Sequence, residues 1–426
     1  MKRFFVAVVA GAIMLSGSVA LADEGEKGTD VESFMKRVEA LEKKIESQEV
    51  TDDLGHKYHP IHSIYGLKIG GGITMVAQGA THTKNRATNS AFSLSADIAL
   101  ESKVGSDGRA IGVLDYQRGT GLSGLPVFFT SPNGNASGTN ADLEGFNDSS
   151  LHVTQFYYEH DFSEALIVSA GQLDMTGYFD TNEFANNERS QFLANIFVNN
   201  PTIEWGGSGD FYSPGLRMTY FPAETFDISL GVFEGNGDYA ETFDRPFYIA
   251  EANLKLSLAG KEGNYRAYYW NRQGRELADV ANTATPTDNS VKMVENKGVG
   301  LSADQWITDD IGVWLRLGTQ REAVAQFDRH FSLGVNLKGR GNDGAGIGYA
   351  QTHMGKVYEN YLRSANPNLD PGAESYLEAY YNYAVGDATD ITGLHVTPDV
   401  QYVMNPGGDT NATKVLVYGV RVQAFF

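Results

Sequence analysis

Between Asp180 and Gln191 the chain reads DTNEFANNERSQ. Asp180, Asn182, Glu183, Asn186, Asn187, Glu188, Arg189 and Gln191 concentrate carboxylates, amides and a guanidinium in this one run. Each of these groups is planar and can form paired hydrogen bonds, which is the chemistry that grips a ligand rich in hydroxyls. Tyr178, Phe179 and Phe184 add flat apolar faces beside them. The plain alternative is a solvated surface loop whose charges balance one another.

A second set lies in NYRAYYWNRQG. In an extended chain Arg266, Tyr268, Trp270 and Arg272 share one face, with Tyr265, Ala267 and Tyr269 opposite. Arg217, Arg316, Gln320 and Glu378 belong to the same class of polar residues on otherwise apolar strands. They read equally as the ordinary polar lining of a barrel. Covalent catalysis has no support, because a nucleophile needs a positioned base and no Ser/His arrangement offers one. His56, His59 and His62 suit a transition metal by chemistry, but Pro60 breaks any helix that would align them. They read as a polar linker, no loop has EF-hand spacing, and no cofactor is expected.

The elements that must position these side chains are strands. From Tyr65 onward hydrophobicity alternates with a period of two, in stretches at 65–81, 91–104, 109–118, 150–161, 165–174, 215–221, 226–234, 247–259, 263–273, 297–305, 311–320, 329–338, 345–353, 376–384, 393–403 and 414–426. Most have about the 9–11 residues that a tilted strand needs to cross a bilayer. Ile311, Val313, Leu315 and Leu317 oppose Trp314, Arg316 and Gln320. Phe331, Leu333, Val335 and Leu337 oppose Ser332, Asn336 and Lys338, and Leu377, Ala379, Tyr381 and Tyr383 oppose Glu378, Tyr380 and Asn382. Connections alternate between short turns (VGSDGR, DFSEA, PAE, AGKEG, ITDD) and longer loops (119–149, 175–214, 274–296). That rhythm predicts an all-β transmembrane barrel of about 16 antiparallel strands. The last stretch, VLVYGVRVQAFF, keeps Leu416, Tyr418, Val420, Val422, Ala424 and Phe426 on one face. An open apolar edge invites aggregation, so this strand is expected to close the sheet against the first.

Residues 1–22 carry Lys2, Arg3, an apolar run and Ala20-Leu21-Ala22, which reads as a secretory signal peptide. A charged spacer at 23–29 precedes a short N-terminal coiled-coil helix at 30–50, with Val31, Val38 and Ile45 at a and Phe34, Leu41 and Gln48 at d. Residues 51–64 are a periplasmic linker and 65–426 the barrel. There is no cysteine among 426 residues, so no disulfide framework supports the exported chain. The net charge of −20 becomes −22 once Lys2 and Arg3 leave with the signal, which excludes nucleic acid as a partner. Mean hydropathy of −0.30 does not argue against a membrane barrel, since only alternate residues face lipid.

Several segments resemble the carbohydrate-selective porin family of the OprB type. These are GLSADQWITDDIGVWLRLG from Gly300, FDRHFSLGVNLKG from Phe327, YLEAYYNYAV from Tyr376, HVTPDVQYVMNPGG from His395 and YFDTNEFANNERSQFLANIFV from Tyr178. The resemblance covers about residues 165–426 and implies an outer-membrane channel for passive, carbohydrate-selective diffusion of small hydrophilic solutes. It implies a homotrimer and a loop folded into the lumen. The longest loop, 175–214, is the candidate, and Asp180 to Gln191 with Arg266, Trp270, Arg272, Arg316 and Glu378 would then line the constriction and meet small sugars. Outer-membrane lipid and the barrel-assembly machinery, through the strand ending in Phe426, are the other expected partners. A general cation-preferring pore or a siderophore-type pore is the alternative, because Asp and Glu rings select cations. A barrel-based adhesin or tether is a further one.

Overall fold

The computed structural model describes residues 50–51, 57–58, 62–64, 67–82, 88–119, 121–122, 128–135, 151–205, 212–235, 239, 245–276, 293–385 and 393–425. The expected signal peptide, the spacer, the helix as far as residue 49, and His56 and His59 of the linker lie outside the described residues. Val50, at the expected end of that helix, is extended and pairs with Tyr58. Residues 48–426 form one compact unit.

Sixteen antiparallel strands close into a barrel. In chain order they are β1 (Leu67–His82), β2 (Thr88–Val104), β3 (Gly108–Arg118), β4 (Leu151–Ser163), β5 (Leu166–Asp174), β6 (Tyr212–Ala223), β7 (Phe226–Phe233) and β8 (Phe247–Leu258). Then follow β9 (Lys261–Glu276), β10 (Met293–Trp306), β11 (Ile311–Gln320), β12 (Phe327–Lys338), β13 (Gly344–Met354), β14 (Ala373–Val385), β15 (Gly393–Met404) and β16 (Val415–Phe425). Each of the sixteen expected stretches coincides with one strand, and the differences fall at the ends. Closure comes from β16 against β1, from Val415 opposite His82 to Phe425 opposite Gly72. With the sheet closed on itself, each strand pairs with a neighbour on either side, as a lipid environment demands.

Side-chain direction follows the period of two. On β11 Leu315 and Leu317 are exposed outward while Trp314 and Arg316 are buried inward. On β14 Leu377, Tyr381 and Tyr383 face out, against Glu378, Tyr380 and Asn382. The last strand repeats this, with Leu416, Tyr418 and Val420 outside and Val417 and Arg421 inside. An apolar belt outside and a polar interior make a surface suited to lipid. Among the described residues no helix is long and apolar enough to cross a membrane; the strands do the crossing. The alternation is interrupted at register shifts, one of which, between Val113 and Leu114, leaves both Thr154 and Gln155 of β4 buried.

The connections are short at one end. Between β8 and β9 the turn is Ala259–Gly260, both with positive φ (51° and 76°), the handed turn that a tight hairpin requires. At the other end, the loops hold two helices among the described residues, α1 (Asn195–Val198) and α2 (Lys356–Ala365). The hydrophobic core sits inside the barrel. Phe184, Phe192, Ile196 and Phe197 pack on Trp314, Tyr376 and Tyr380, and Phe179, Ile203 and Trp205 pack with Phe233, Phe247 and Trp270. The loop after β5 is therefore folded onto the inner wall, as anticipated.

Candidate functional site

The loop can be followed along that wall. It leaves β5 through a single 3-10 turn, Met175–Gly177, capped by Asp174, whose Oδ1 accepts from the Thr176 amide at 2.9 Å. Asp180 adopts a left-handed conformation (φ 57°) that Asp tolerates better than most residues. Its amide donates to Glu251 Oε2 of β8 at 2.7 Å. Its carboxylate accepts from the Asn200 amide at 2.8 Å and lies 3.1 Å from Arg316 Nε. Burial raises the Asp180 carboxyl pKa, and the Arg316 charge opposes that shift. Asn182 donates to Ser302 Oγ and to the Ala303 carbonyl of β10, both at 3.2 Å.

Glu183 reaches the turn-side end of β10, where it accepts from Trp306 Nε1 at 2.7 Å. Phe184 lies edge-on to the same indole, with ring centroids 4.7 Å apart. Lys338 Nζ sits 4.0 Å from the centre of that indole, a cation–π contact.

Three buried charged side chains of the wall hold the loop by its backbone. Arg316 donates from Nη1 to the Ala185 and Phe197 carbonyls, and from Nη2 to the Asp180 carbonyl at 2.8 Å and to Asn186 Oδ1 at 2.9 Å. Glu378 accepts from the Leu193 and Ala194 amides, the latter at 3.0 Å. Arg421 Nη1 donates to the carbonyls of Glu188 (2.7 Å) and Gln191 (2.9 Å). Gln191 in turn caps the run internally, accepting from the Asn186 amide at 2.7 Å and donating to the Glu183 carbonyl at 2.6 Å. Asn187 Oδ1 accepts from the Arg189 amide at 2.8 Å.

Loop and wall meet at backbone distance because the wall presents glycines there. A Cβ at Gly348 would stand 2.9 Å from Phe192 and 3.0 Å from Phe197, and one at Gly312 would overlap the Phe184 ring.

A second loop, after β3, also enters the lumen, which the sequence had not suggested. Gln78 Nε2 and Gln401 Nε2 both donate to the Pro132 carbonyl, at 3.1 and 2.9 Å. Asn133 donates to Ser93 Oγ at 3.1 Å, and Ser95 donates to Asn135 Oδ1 at 2.7 Å. The two loops are joined directly, Gly134 N to the Leu193 carbonyl at 2.7 Å and Asn195 N to the Ser131 carbonyl at 3.0 Å. Glu374 of β14 accepts from the Phe129 amide at 2.8 Å and from the Gly407 amide at 2.7 Å, tying in a third connection.

This geometry separates the expected lining residues into two groups. Asp180, Arg316, Glu378 and Trp270 have no exposed surface, and Asn182 is 4% exposed, so these side chains are closed off from the bore. The reason is that the loop packs its own Asp180 and Asn182 against the wall and lies over Arg316, Glu378 and Trp270. Glu183, Asn186, Asn187, Glu188, Arg189 and Gln191 keep exposed or half-exposed surface. So do Arg266, paired with Asp304 at 2.6 Å, and Arg272, paired with Glu204 at 2.8 Å. On β2 and β3 the Arg109 side chain retains 35% exposure and Glu101 28%. No cluster of three or more metal-ligating side chains occurs among the described residues.

A closed sixteen-strand barrel narrowed by loops folded into its lumen defines the class of outer-membrane porin-type barrels. Within that class the chain belongs to the carbohydrate-selective porin, OprB family, which it matches over residues 77–426. It is 26% identical over 302 residues to Porin B of Pseudomonas aeruginosa, covering 60% of this chain and 65% of that protein. It is 25% identical over 236 residues to an uncharacterised protein of Aquifex aeolicus, covering 55% of this chain and 59% of that one. The chain thus spans somewhat less than two thirds of the length of these relatives. Among solved structures, the high-pH form of Pseudomonas putida OprB superposes with a TM-score of 0.66 at 18% identity, covering 85% of this chain and 94% of that one. The low-pH form gives 0.53 at 16% identity, covering 95% and 100%. At that identity the likeness is one of fold.

Proposed function

We propose that the barrel is a passive channel of the outer membrane for small hydrophilic solutes, with a preference for carbohydrates, and that it is not an enzyme. The observation that carries this reading is the loop Tyr178–Trp205, held across the lumen by Arg316, Glu378 and Arg421. A fixed loop presents its amides, carboxylates and Arg189 at constant spacing, which suits recognition of a rigid hydroxylated ring and does not suit a plug that must leave. In this reading Asp180, Asn182, Trp270, Arg316 and Glu378 act on the solute only through the loop they position. Glu183, Asn186, Asn187, Glu188, Arg189, Gln191, Arg266 and Arg272 are the side chains it meets.

The channel works as a homotrimer in lipid, with the last strand as its signal to the assembly machinery. The short-turn end is the periplasmic one. Proteoliposomes test the solute class. In isotonic sugar, vesicles containing the protein should swell faster with glucose than with an uncharged polyol of the same mass. Equal rates for both would leave a general pore and overturn the carbohydrate preference.

A further inference from the structure

Asp97 of β2 and Asp115 of β3 stand directly opposite each other across one rung of the sheet, and both face the lumen. Like charges in directly opposed positions repel, so the pair needs compensation from outside the sheet. It comes from the loop. Arg189 Nη2 donates to Asp97 Oδ1 at 2.9 Å, and its Nη1 is ion-paired with the other oxygen of the same carboxylate. Arg189 Nε also lies 3.6 Å from Glu188 Oε1. One guanidinium therefore contacts two carboxylates, Asp97 and Glu188, beside the third. Asp115 accepts from Gln117 Nε2 at 2.7 Å through one oxygen, while its other oxygen, Oδ1, is buried and without a hydrogen-bond partner among the described residues. Asp115 is 1% exposed, so that oxygen is a shielded acceptor.

The side chains of Arg189 and Glu188 keep 20% and 25% exposure, on the loop edge that faces β2 and β3.

We infer that the Asp97–Asp115 pair, buried just behind the lining of the passage, biases it toward cations, and that Arg189 is the specificity-determining residue that offsets part of that charge. Carboxylates at a constriction favour cations by sign; a guanidinium seated among them weakens that preference and eases the path of uncharged solutes. Arg189 is thus the residue that separates an uncharged-solute channel from a cation channel built on the same wall. The inference goes beyond the carbohydrate reading, because it concerns ions and is measured without sugar.

The test is the zero-current potential of the full-length protein in a planar bilayer across a potassium chloride gradient. Arg189→Gln should raise the ratio of potassium to chloride permeability by about threefold to tenfold, the size expected for one partly screened unit charge. Arg189→Lys, which keeps the charge, should stay within about twofold of the wild type. Asp115→Asn should move the ratio the other way. Should Arg189→Gln fail to assemble, Asp115→Asn carries the test alone. An unchanged ratio in Arg189→Gln, or a rise in Asp115→Asn, overturns the inference. Loss of sugar discrimination in the vesicle experiment, with these ion shifts intact, would sink the carbohydrate reading and leave this one standing.

Discussion

Arg316 shows what a single residue does here. Its guanidinium is fully buried and spans four positions of the loop, from Asp180 to Phe197. Replacing it with methionine removes those donors and leaves the Asp180 carboxylate buried without its ion-pair partner. Breaking a buried ion pair from one side costs about 3–5 kcal/mol. That loss should fall on the loop and not on the strands. Arg316→Met is expected to form a normal barrel with larger, noisier single-channel current, and Asp180→Asn in the same chain should recover part of the quiet state. A double variant as noisy as the sum of the two single ones would show that the pair is not coupled.

The face on which Arg316 lies was legible from Leu315 and Leu317 on either side. Its partner was not, because position in a period-two pattern says only that a side chain points inward. Whether it then meets solute or a loop depends on chain that is more than a hundred residues away in sequence, as with Ala185. Trp270 and Glu378 are the same case.

Among the elements, the loop 175–205 and the glycines beneath it form one fitted unit. Phe192 and Phe197 rest where Gly348 has no side chain. Gly348→Val should lift both rings, and because the loop is bedded and latched, the displacement should narrow the bore instead of opening it. Single-channel conductance should fall, with the strand content by circular dichroism unchanged; unaltered conductance would mean that the loop is free to shift. The strands themselves were read almost to the residue, since each carries its own alternation. The loop after β3 was missed because SPNGNAS, from Ser131 to Ser137, has the composition of any surface turn. Only the barrel brings Gln78, Gln401 and Glu374 to its backbone. The register shift at Thr154 of β4 was invisible for a related reason, as one extra residue leaves no compositional mark.

At the scale of the whole molecule, closure decides everything else. The alternation of short and long connections and the apolar face of the last strand together pointed to a barrel, and β16 does pair with β1 along eleven residue pairs from Val415 to Phe425. Deleting Val415–Phe425 exposes two edges at once, and an unpaired edge is not tolerated in hydrocarbon. The truncated chain should show no band that shifts on heating in a semi-native gel, whereas the full chain should show one. A heat-shifting species from the truncated chain would contradict the closed-sheet account.

The central claim is that a fixed loop makes this barrel a channel that recognises sugars as they pass. The most direct test is single-channel current in a planar bilayer, titrated first with glucose and then with maltooligosaccharides. The account predicts a stable ohmic current that sugar blocks saturably, and a weaker block after Glu188 and Arg189 are replaced. A current indifferent to every sugar would contradict it and leave an unselective pore.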